Sequence, residues 1–149
     1  FIKKFPTPES MAKSSLKNIL KMWSGLGYNN RAKRLYESSK ILAEQGFEGI
    51  YPKFERLPGV GAYTKNAILS FAYGDSVLAV DTNLKRIIIR YFGIDNTKDY
   101  VRNYSNLLLE NINSKDINQA FMDLGSSICT SSNVKCFICP LEKNCKKYL

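Results

Sequence analysis

The chain has 149 residues, of which 44% are hydrophobic and 23% charged, a composition typical of one soluble globular domain and short for two. No apolar run approaches membrane-spanning length, and the first ten residues, FIKKFPTPES, lack the apolar stretch of a secretion signal, so a cytoplasmic protein is predicted. Its net charge of +9 favours a polyanionic partner, either nucleic acid or an acidic membrane surface. The chain contains no His, so any acid–base chemistry falls to carboxylates, Lys, Tyr or Cys.

Helices dominate the first part of the chain. Thr7 precedes a proline in the pattern of an N-cap followed by a first helical turn, so a short helix is predicted to begin there. Apolar residues recur at helical spacing from Leu16 to Trp23, and Gly25 and Gly27 then end that helix. A further helix is predicted over residues 29–45, and the segment GFEGIYP, 46–52, is predicted to be a loop.

The second part of the chain continues the helical pattern. Residues 62–73 are predicted to be helical, and their apolar run AILSFAY is expected at the centre of the core. The short run VLAV, 77–80, is interpreted as an extended connection. Three more helices are predicted, over residues 83–92, 98–111 and 114–128. The predicted fold is therefore all-α, a bundle of short helices.

All four cysteines lie near the C-terminal end, separated by six, two and five residues: Cys129, Cys136, Cys139 and Cys145. Three interpretations compete, namely two disulfides, a zinc site and an iron–sulfur cluster. Disulfides are disfavoured because nothing indicates secretion and cytosolic thiols stay reduced. Structural zinc usually takes paired C-x2-C knuckles, whereas one tight pair with a more distant ligand on each side favours a cluster.

A glycine-rich bend, LPGVGAYTKNA at residues 57–67, stands directly before a predicted helix. Glycines at a helix start let backbone N–H groups approach an anion, so Gly59 and Gly61 are candidate phosphate-binding positions. The alternative is an ordinary type II turn, with Pro58 at its second position and Gly59 at its third.

An acidic residue follows the apolar run VLAV. Asp81, in AVDTN, stands between that run and a new helix, where Asp is most often an N-cap. A partly desolvated carboxylate at such a junction is also suited to face a developing cation. Both interpretations stay open from the residues alone.

Taken together, LPGVGAYTKNA, AVDTN and the C-x6-C-x2-C-x5-C loop resemble the helix-hairpin-helix (HhH-GPD) DNA glycosylases of the endonuclease III superfamily, over nearly the whole chain. The resemblance implies a base-excision-repair enzyme with a glycosylase core over 1–128 and a cluster loop over 129–149. It implies a catalytic Asp81 and a [4Fe–4S] cluster on the four cysteines. The hairpin would bind a DNA phosphate, and the residues expected to touch DNA there are Leu57, Gly59, Val60, Gly61 and Lys65.

Finer features indicate a branch of that superfamily. Bifunctional members carry a Schiff-base Lys at the position held here by Tyr63, and Lys65 lies about 200° further around a helix, so a monofunctional enzyme is implied. The stretches MWSGLGYNNRAKRL and FMDLGSSICT resemble the MutY-type adenine glycosylases, which remove adenine mispaired with 8-oxoguanine. By that resemblance Tyr28 wedges beside the lesion base, and Arg31 and Arg34 lie near DNA or support the wedge. The alternative for Tyr28 is a packed aromatic residue after a glycine turn.

The resemblance also implies a mechanism. Asp81 stabilises or traps the oxocarbenium-like state, Asn83 orients a water or the sugar–phosphate, and Tyr63 lines the base pocket. A second carboxylate, a Glu on an earlier helix, is expected outside these 149 residues, since Glu9 and Glu37 are the only early alternatives and both fit solvated helix positions.

The expected partner is double-stranded DNA with a mispaired or damaged base, bound by a monomer without membrane contact, in the cytoplasm or at the nucleoid of a prokaryote. Two alternatives remain open: a thymine or uracil glycosylase acting on G mismatches, and a DNA-binding module without catalysis.

Overall fold

The computed structural model of the chain describes residues 1–94 and 108–146. Every regular element among these residues is helical, so the predicted all-α fold is confirmed. The α-helices are α1 (Pro8–Ala12), α2 (Leu16–Trp23), α3 (Asn29–Ile50), α4 (Ala62–Ile68), α5 (Thr82–Phe92) and α6 (Ser114–Ser127). Short 3-10 turns cover Phe54–Arg56, Cys136–Ile138 and Glu142–Asn144. None of the described helices is both long enough and apolar enough to cross a membrane.

The chain forms two compact units, and the first runs from Phe1 to Gly61. Its first helix begins as predicted, because the Thr7 side chain accepts a hydrogen bond from the Ser10 backbone and completes a capping box. The apolar faces of α1, α2 and α3 meet in a common core. Its buried members are Met11, Ile19, Trp23 and Ala32, with Phe1, Phe5, Leu20 and Tyr36 packed against them.

The predicted loop over residues 46–52 is wrong in its first part, because α3 continues to Ile50. Gly46 has φ 68° and ψ 170°, which lie outside the helical region, so α3 consists of two helical segments that meet at a kink there. Ile50 is buried beyond that kink, with only 1% of its surface exposed. Burying this side chain favours a kinked helix over an open loop.

The second unit starts at Ala62, where α4 passes into a π-helical turn over Leu69–Tyr73. The apolar run AILSFAY is less central to the core than predicted, since only Leu69 and Ser70 within it are buried. The six apolar residues of this run are spread over all sides of a helix, and only one side of this helix faces inward.

Residues 77–80 form the predicted extended connection to α5. The helix predicted over 98–111 lies largely outside the described residues, whereas α6 agrees with its prediction and begins at the N-cap Asn113. The core of this unit contains Leu78, Leu84, Ile88 and Leu109, packed against Val80, Phe92, Ile94, Leu108, Ile117 and Phe121. The predicted division into 1–128 and 129–149 stays a prediction.

Candidate functional site

Asp81 is the N-cap of α5, as one of its two interpretations predicted. Its Oδ1 accepts a hydrogen bond from the backbone N–H of Leu84 at 2.7 Å. The carboxylate is half-buried, and its other oxygen accepts no hydrogen bond from the residues that the structure describes. The cap bond therefore fixes the orientation of the carboxylate and leaves one oxygen open to a ligand.

Two side-chain amides hold the extended segment that leads into this carboxylate. Asn66 on α4 donates to the Leu78 carbonyl oxygen at 2.8 Å. Asn118 on α6 donates to the Val77 carbonyl oxygen and accepts from the Ala79 N–H, both at 2.9 Å. These amides replace the hydrogen bonds that a neighbouring strand would supply. Because Asn118 is only 2% exposed, its bonds are protected from water and the segment is held firmly.

Asn83, in the first turn of α5, is linked to the C-terminal end of α6 through Arg86. The Arg86 guanidinium donates to Asn83 Oδ1 at 2.8 Å, to the Gly125 carbonyl oxygen at 2.7 Å and to the Cys129 carbonyl oxygen at 2.8 Å. The Asn83 side chain can still donate through its amide N–H groups to a ligand, and its oxygen keeps a second lone pair. One guanidinium thus connects the candidate catalytic helix with the start of the cysteine loop.

The four cysteines line one cavity of about 230 Å³, and none of them forms a disulfide. The last turn of α5 forms one wall of this cavity. Arg90 donates to Cys129 Sγ at 3.4 Å, and Cys145 Sγ donates to the Arg90 carbonyl oxygen at 3.6 Å. Within the described ranges, no three Cys, Asp or Glu side chains converge closely enough to hold a single metal ion.

The glycine-rich bend contains both features that the sequence offered as alternatives. The Val60 N–H donates to the Leu57 carbonyl oxygen at 3.0 Å and Gly59 has φ 84°, as in a type II turn. Leu57 is buried and anchors the bend. Gly59 and Gly61 are exposed, and their N–H groups have no partner among the described residues. The turn therefore presents two open amides.

Tyr28 stands at the N-cap of α3 with its side chain 82% exposed, so the packed-aromatic alternative is wrong. It adopts a left-handed conformation with φ 48°, which is rare for a bulky residue. The preceding turn is held by Trp23, whose indole N–H donates to the Gly27 carbonyl oxygen at 2.8 Å. The Arg31 guanidinium lies 5.7 Å from the centroid of that indole ring. A fixed turn thus projects an aromatic ring into solvent.

Tyr63 and Lys65 lie in the first part of α4. Two residues along a helix are about 200° apart, so these side chains point to different sides. Tyr63 is 42% exposed, which leaves its ring accessible, while Lys65 is half-buried. Their catalytic and DNA-binding roles stay predictions.

Glu9 does not suit a general acid, which needs a raised pKa. A backbone hydrogen bond at Glu9 and a hydrogen bond from the Thr7 side chain lower the pKa of the Glu9 carboxyl group. Glu37 is paired with Lys33 on the surface of α3, with 4.0 Å between Oε1 and Nζ. Both are solvated helix residues, as the sequence indicated.

Three residues of these networks were missed from the sequence: Asn118, Arg86 and Arg90. The signal for the two arginines was their i, i+4 spacing within the apolar stretch LKRIIIRYF, since a cation on an apolar helix face needs buried acceptors. No sequence signal marks Asn118, because its partners lie about 40 residues away in the chain.

Comparison with known proteins agrees with this arrangement. The family model of HhH-GPD superfamily base excision DNA repair proteins matches residues 1–111. An adenine DNA glycosylase of Buchnera aphidicola (subsp. Baizongia pistaciae) is 42% identical to the whole chain, which covers 44% of that relative. The human adenine DNA glycosylase is 34% identical over 98% of the chain, which covers 29% of it. The chain thus spans less than half the length of these curated relatives.

Solved structures show the same fold. A thermostable thymine-DNA glycosylase has a TM-score of 0.88 and 30% identity, over 99% of this chain and 72% of that one. A non-covalent endonuclease III–DNA complex has a TM-score of 0.78 and 25% identity, with the same coverage.

Proposed function

This chain belongs to the HhH-GPD superfamily of base excision DNA repair proteins, and from that premise we propose that it is a monofunctional glycosylase hydrolysing the N-glycosidic bond of adenine. The adenine lies opposite 8-oxoguanine or guanine in double-stranded DNA. The observation that carries the proposal is the 42% identity, over the entire chain, with a relative named adenine DNA glycosylase. We further propose that it acts as a monomer in the cytoplasm, at the nucleoid in a prokaryote.

In the proposed reaction Asp81 faces the deoxyribose C1′ and stabilises the oxocarbenium-like state, or traps it covalently. Its half-buried, capped carboxylate supports this role, because one oxygen is fixed by the Leu84 N–H and the other is open. Asn83 orients the attacking water or the sugar–phosphate, and the hydrogen bond from Arg86 to its oxygen fixes the orientation of its side chain. Tyr63 lines the pocket that receives the base.

Base extrusion requires a DNA grip and a wedge. The open amides of Gly59 and Gly61 bind a backbone phosphate, with Leu57, Val60 and Lys65 completing the hairpin contact. Tyr28 inserts beside the lesion base, and Arg31 supports it from the Trp23 ring. Unstacking costs a few kcal/mol and is cheapest at a mismatch, so the wedge favours mispaired sites.

We propose further that Cys129, Cys136, Cys139 and Cys145 hold a [4Fe–4S] cluster. Four free thiols around one cavity of about 230 Å³ fit a group with four separate metal corners. One tight C-x2-C pair with a more distant ligand on each side favours such a cluster over a single zinc ion. When bound, the cluster cross-links the C-terminal loop at four points. Arg90 donates a hydrogen bond to the sulfur of Cys129, one of the four proposed ligands.

The cluster is tested by its colour. Anaerobically reconstituted protein is expected to absorb visible light and to contain four irons per chain, as a [4Fe–4S] centre requires. A Cys136→Ser variant is expected to lose most of both, whereas Ser132→Ala, within the same loop, should retain them. A colourless protein with one tightly bound zinc would contradict the proposal.

The activity is tested with labelled duplexes that carry A opposite 8-oxoguanine, A opposite G, T opposite G, or U opposite G. After incubation, alkali cleaves the strand at any abasic site. Excision of adenine is expected, with none of thymine or uracil. The T and U duplexes are included because the thermostable thymine-DNA glycosylase has a TM-score of 0.88, which keeps that specificity as the second candidate.

Two proteins are assayed, since the chain spans 44% of the Buchnera relative. One is the chain itself, and the other is a chimera in which it replaces the matching segment of that relative. Adenine excision by the chimera, abolished by Asp81→Asn, supports the proposal. Binding of all duplexes without excision by either protein would indicate a DNA-binding module instead.

A further inference from the structure

The hairpin of residues Leu57–Gly61 rests on two α3 side chains that are one helical turn apart. Ser38 donates from Oγ to the Pro58 carbonyl oxygen at 3.2 Å. The aliphatic stem of Arg34 passes directly over Gly59, so that a Cβ at Gly59 would lie 2.7 Å from Arg34 Cδ and 3.2 Å from Arg34 Cβ. Gly59 is therefore needed for the approach of Arg34 as well as for its positive φ.

The head of the same side chain has no partner. The Arg34 guanidinium forms no hydrogen bond or ion pair with any residue that the structure describes. It opens onto a shallow depression of about 630 Å³ that the hairpin and Arg56 also line. The two acidic residues of this depression are already engaged, because Glu37 pairs with Lys33 and Glu55 has an interaction of its own.

A guanidinium whose stem is held in place is well prepared to bind an anion. Ordering a long side chain on binding costs conformational entropy, and packing of the Arg34 stem against Gly59 meets part of that cost beforehand. The planar guanidinium donates two parallel hydrogen bonds to phosphate oxygens. It stands beside a turn whose Gly59 and Gly61 amides are also open donors.

We propose that Arg34 is a DNA-binding residue of the hairpin, whose guanidinium contacts the same backbone phosphodiester as the Gly59 and Gly61 amides. The inference rests on the proposed function and assigns Arg34 to the phosphate grip and not to the wedge. Arg31, three residues earlier, lies against Trp23 in the wedge turn, so the two arginines of this helix serve different parts of the DNA.

The test is a salt titration of DNA binding by the 149-residue chain. Affinity for a fluorescent duplex with a central A·8-oxoguanine pair is measured by anisotropy over a series of KCl concentrations. The variants are Arg34→Met, which keeps an unbranched stem over Gly59 but loses the charge, and Arg34→Lys, which keeps the charge. Lys33→Gln is the matched control, since it removes one charge from the neighbouring exposed position.

Arg34→Met is expected to reduce the slope of log K against log salt by about 0.9, the value for one lost phosphate contact. Lys33→Gln should change the slope by less than half as much, and Arg34→Lys should retain it. Equal slopes for Arg34→Met and Lys33→Gln would overturn the inference, because Arg34 would then act only through overall charge. An unfolded Arg34→Met is replaced by Arg34→Gln under the same criteria.

A hairpin variant separates this inference from the proposed function. Gly61→Pro removes one amide donor without touching Arg34, so it should weaken binding whether or not Arg34 takes part. Loss of binding in Gly61→Pro with an unchanged slope in Arg34→Met would refute the Arg34 contact and leave the proposed function standing. If neither the wild-type chain nor the chimera binds any duplex, both are overturned.

Discussion

Gly125 and Asn83 touch at closer range than any other residue type at position 125 would permit. A Cβ built on Gly125 would lie 2.4 Å from Asn83 Cβ and 2.9 Å from Asn83 Cγ. Because the contacted atoms are close to the backbone of α5, no rotamer change of Asn83 relieves the overlap. The glycine thus sets the distance between α5 and α6 at the point where Arg86 bridges them.

Gly125→Ala is therefore expected to lower both stability and excision. The gain in helix propensity is about 1 kcal/mol, and overpacking that displaces backbone costs about 1–3 kcal/mol. A displacement of Asn83 by about 1 Å should slow single-turnover excision on the order of 100-fold. Gly49→Ala is the control, because its Cβ would meet only Gln45 Cβ at 3.5 Å, an ordinary contact. Equal behaviour of the two variants in thermal unfolding would contradict the argument.

Arg86→Met should lower the free energy of unfolding, because it removes the donor of three hydrogen bonds. Three oxygens lose their donor, and each half-buried unsatisfied acceptor costs about 1 kcal/mol, so a loss of about 3 kcal/mol is expected in urea unfolding. Lys85→Met removes the same charge from an exposed neighbour on α5 and should stay near wild-type stability. A normal unfolding free energy for Arg86→Met would show that water replaces the guanidinium.

Features that depend on residues close in sequence were predictable, and features that depend on residues distant in sequence were not. Helix starts at Thr7 and Asp81 were predictable because a cap depends on residues three positions apart. Whether the helix ends or kinks at Gly46 was not predictable, because glycine permits both and the outcome depends on the burial of Ile50. Arg86 was missed for the same reason, since one of its acceptors lies 43 residues away.

The same distinction between near and distant residues applies to the candidate site. The hairpin and the cysteine spacing were readable because their residues are close in sequence; the type II turn predicted for LPGVG is present, and its phosphate-binding role stays a prediction. The support beneath Asp81 was not readable, since Asn118 reaches the extended segment only through the packing of α6. The candidate site residues were thus visible in the sequence, and the residues that position them required the fold.

Asp81 has two duties that different substitutions separate. Asp81→Asn preserves an acceptor for the Leu84 N–H, so stability should be kept while excision is lost. Asp81→Ala removes the cap as well and should cost about 1 kcal/mol in addition. Asn113→Ala, at the N-cap of α6, provides the control, with a similar loss of stability and retained excision. Excision by Asp81→Asn would refute the catalytic role. Wild-type stability of Asp81→Ala would refute the capping role.

Tyr28 has a strained backbone and an exposed ring, so the effect of a substitution on stability can be separated from its effect on excision. An 82% exposed ring contributes little to folding, whereas its left-handed backbone costs about 1–2 kcal/mol for any residue with a Cβ. Tyr28→Gly should therefore be more stable than Tyr28→Ala by up to about 1 kcal/mol. The remainder of the relieved strain is offset by the larger conformational freedom of glycine in the unfolded chain. Thermal unfolding of the two variants measures the difference.

Both Tyr28 variants should lose excision to the same extent, because each lacks the ring that unstacks the site, while Tyr28→Phe should retain most of it. Fluorescence of 2-aminopurine placed opposite 8-oxoguanine reports the extrusion step directly, and its rise on binding should disappear in the Gly and Ala variants alone. A full signal in Tyr28→Ala would show that the exposed ring is not the wedge. A loss in Tyr28→Ala with recovery in Tyr28→Gly would instead assign the effect to the backbone, since only the strain differs between them.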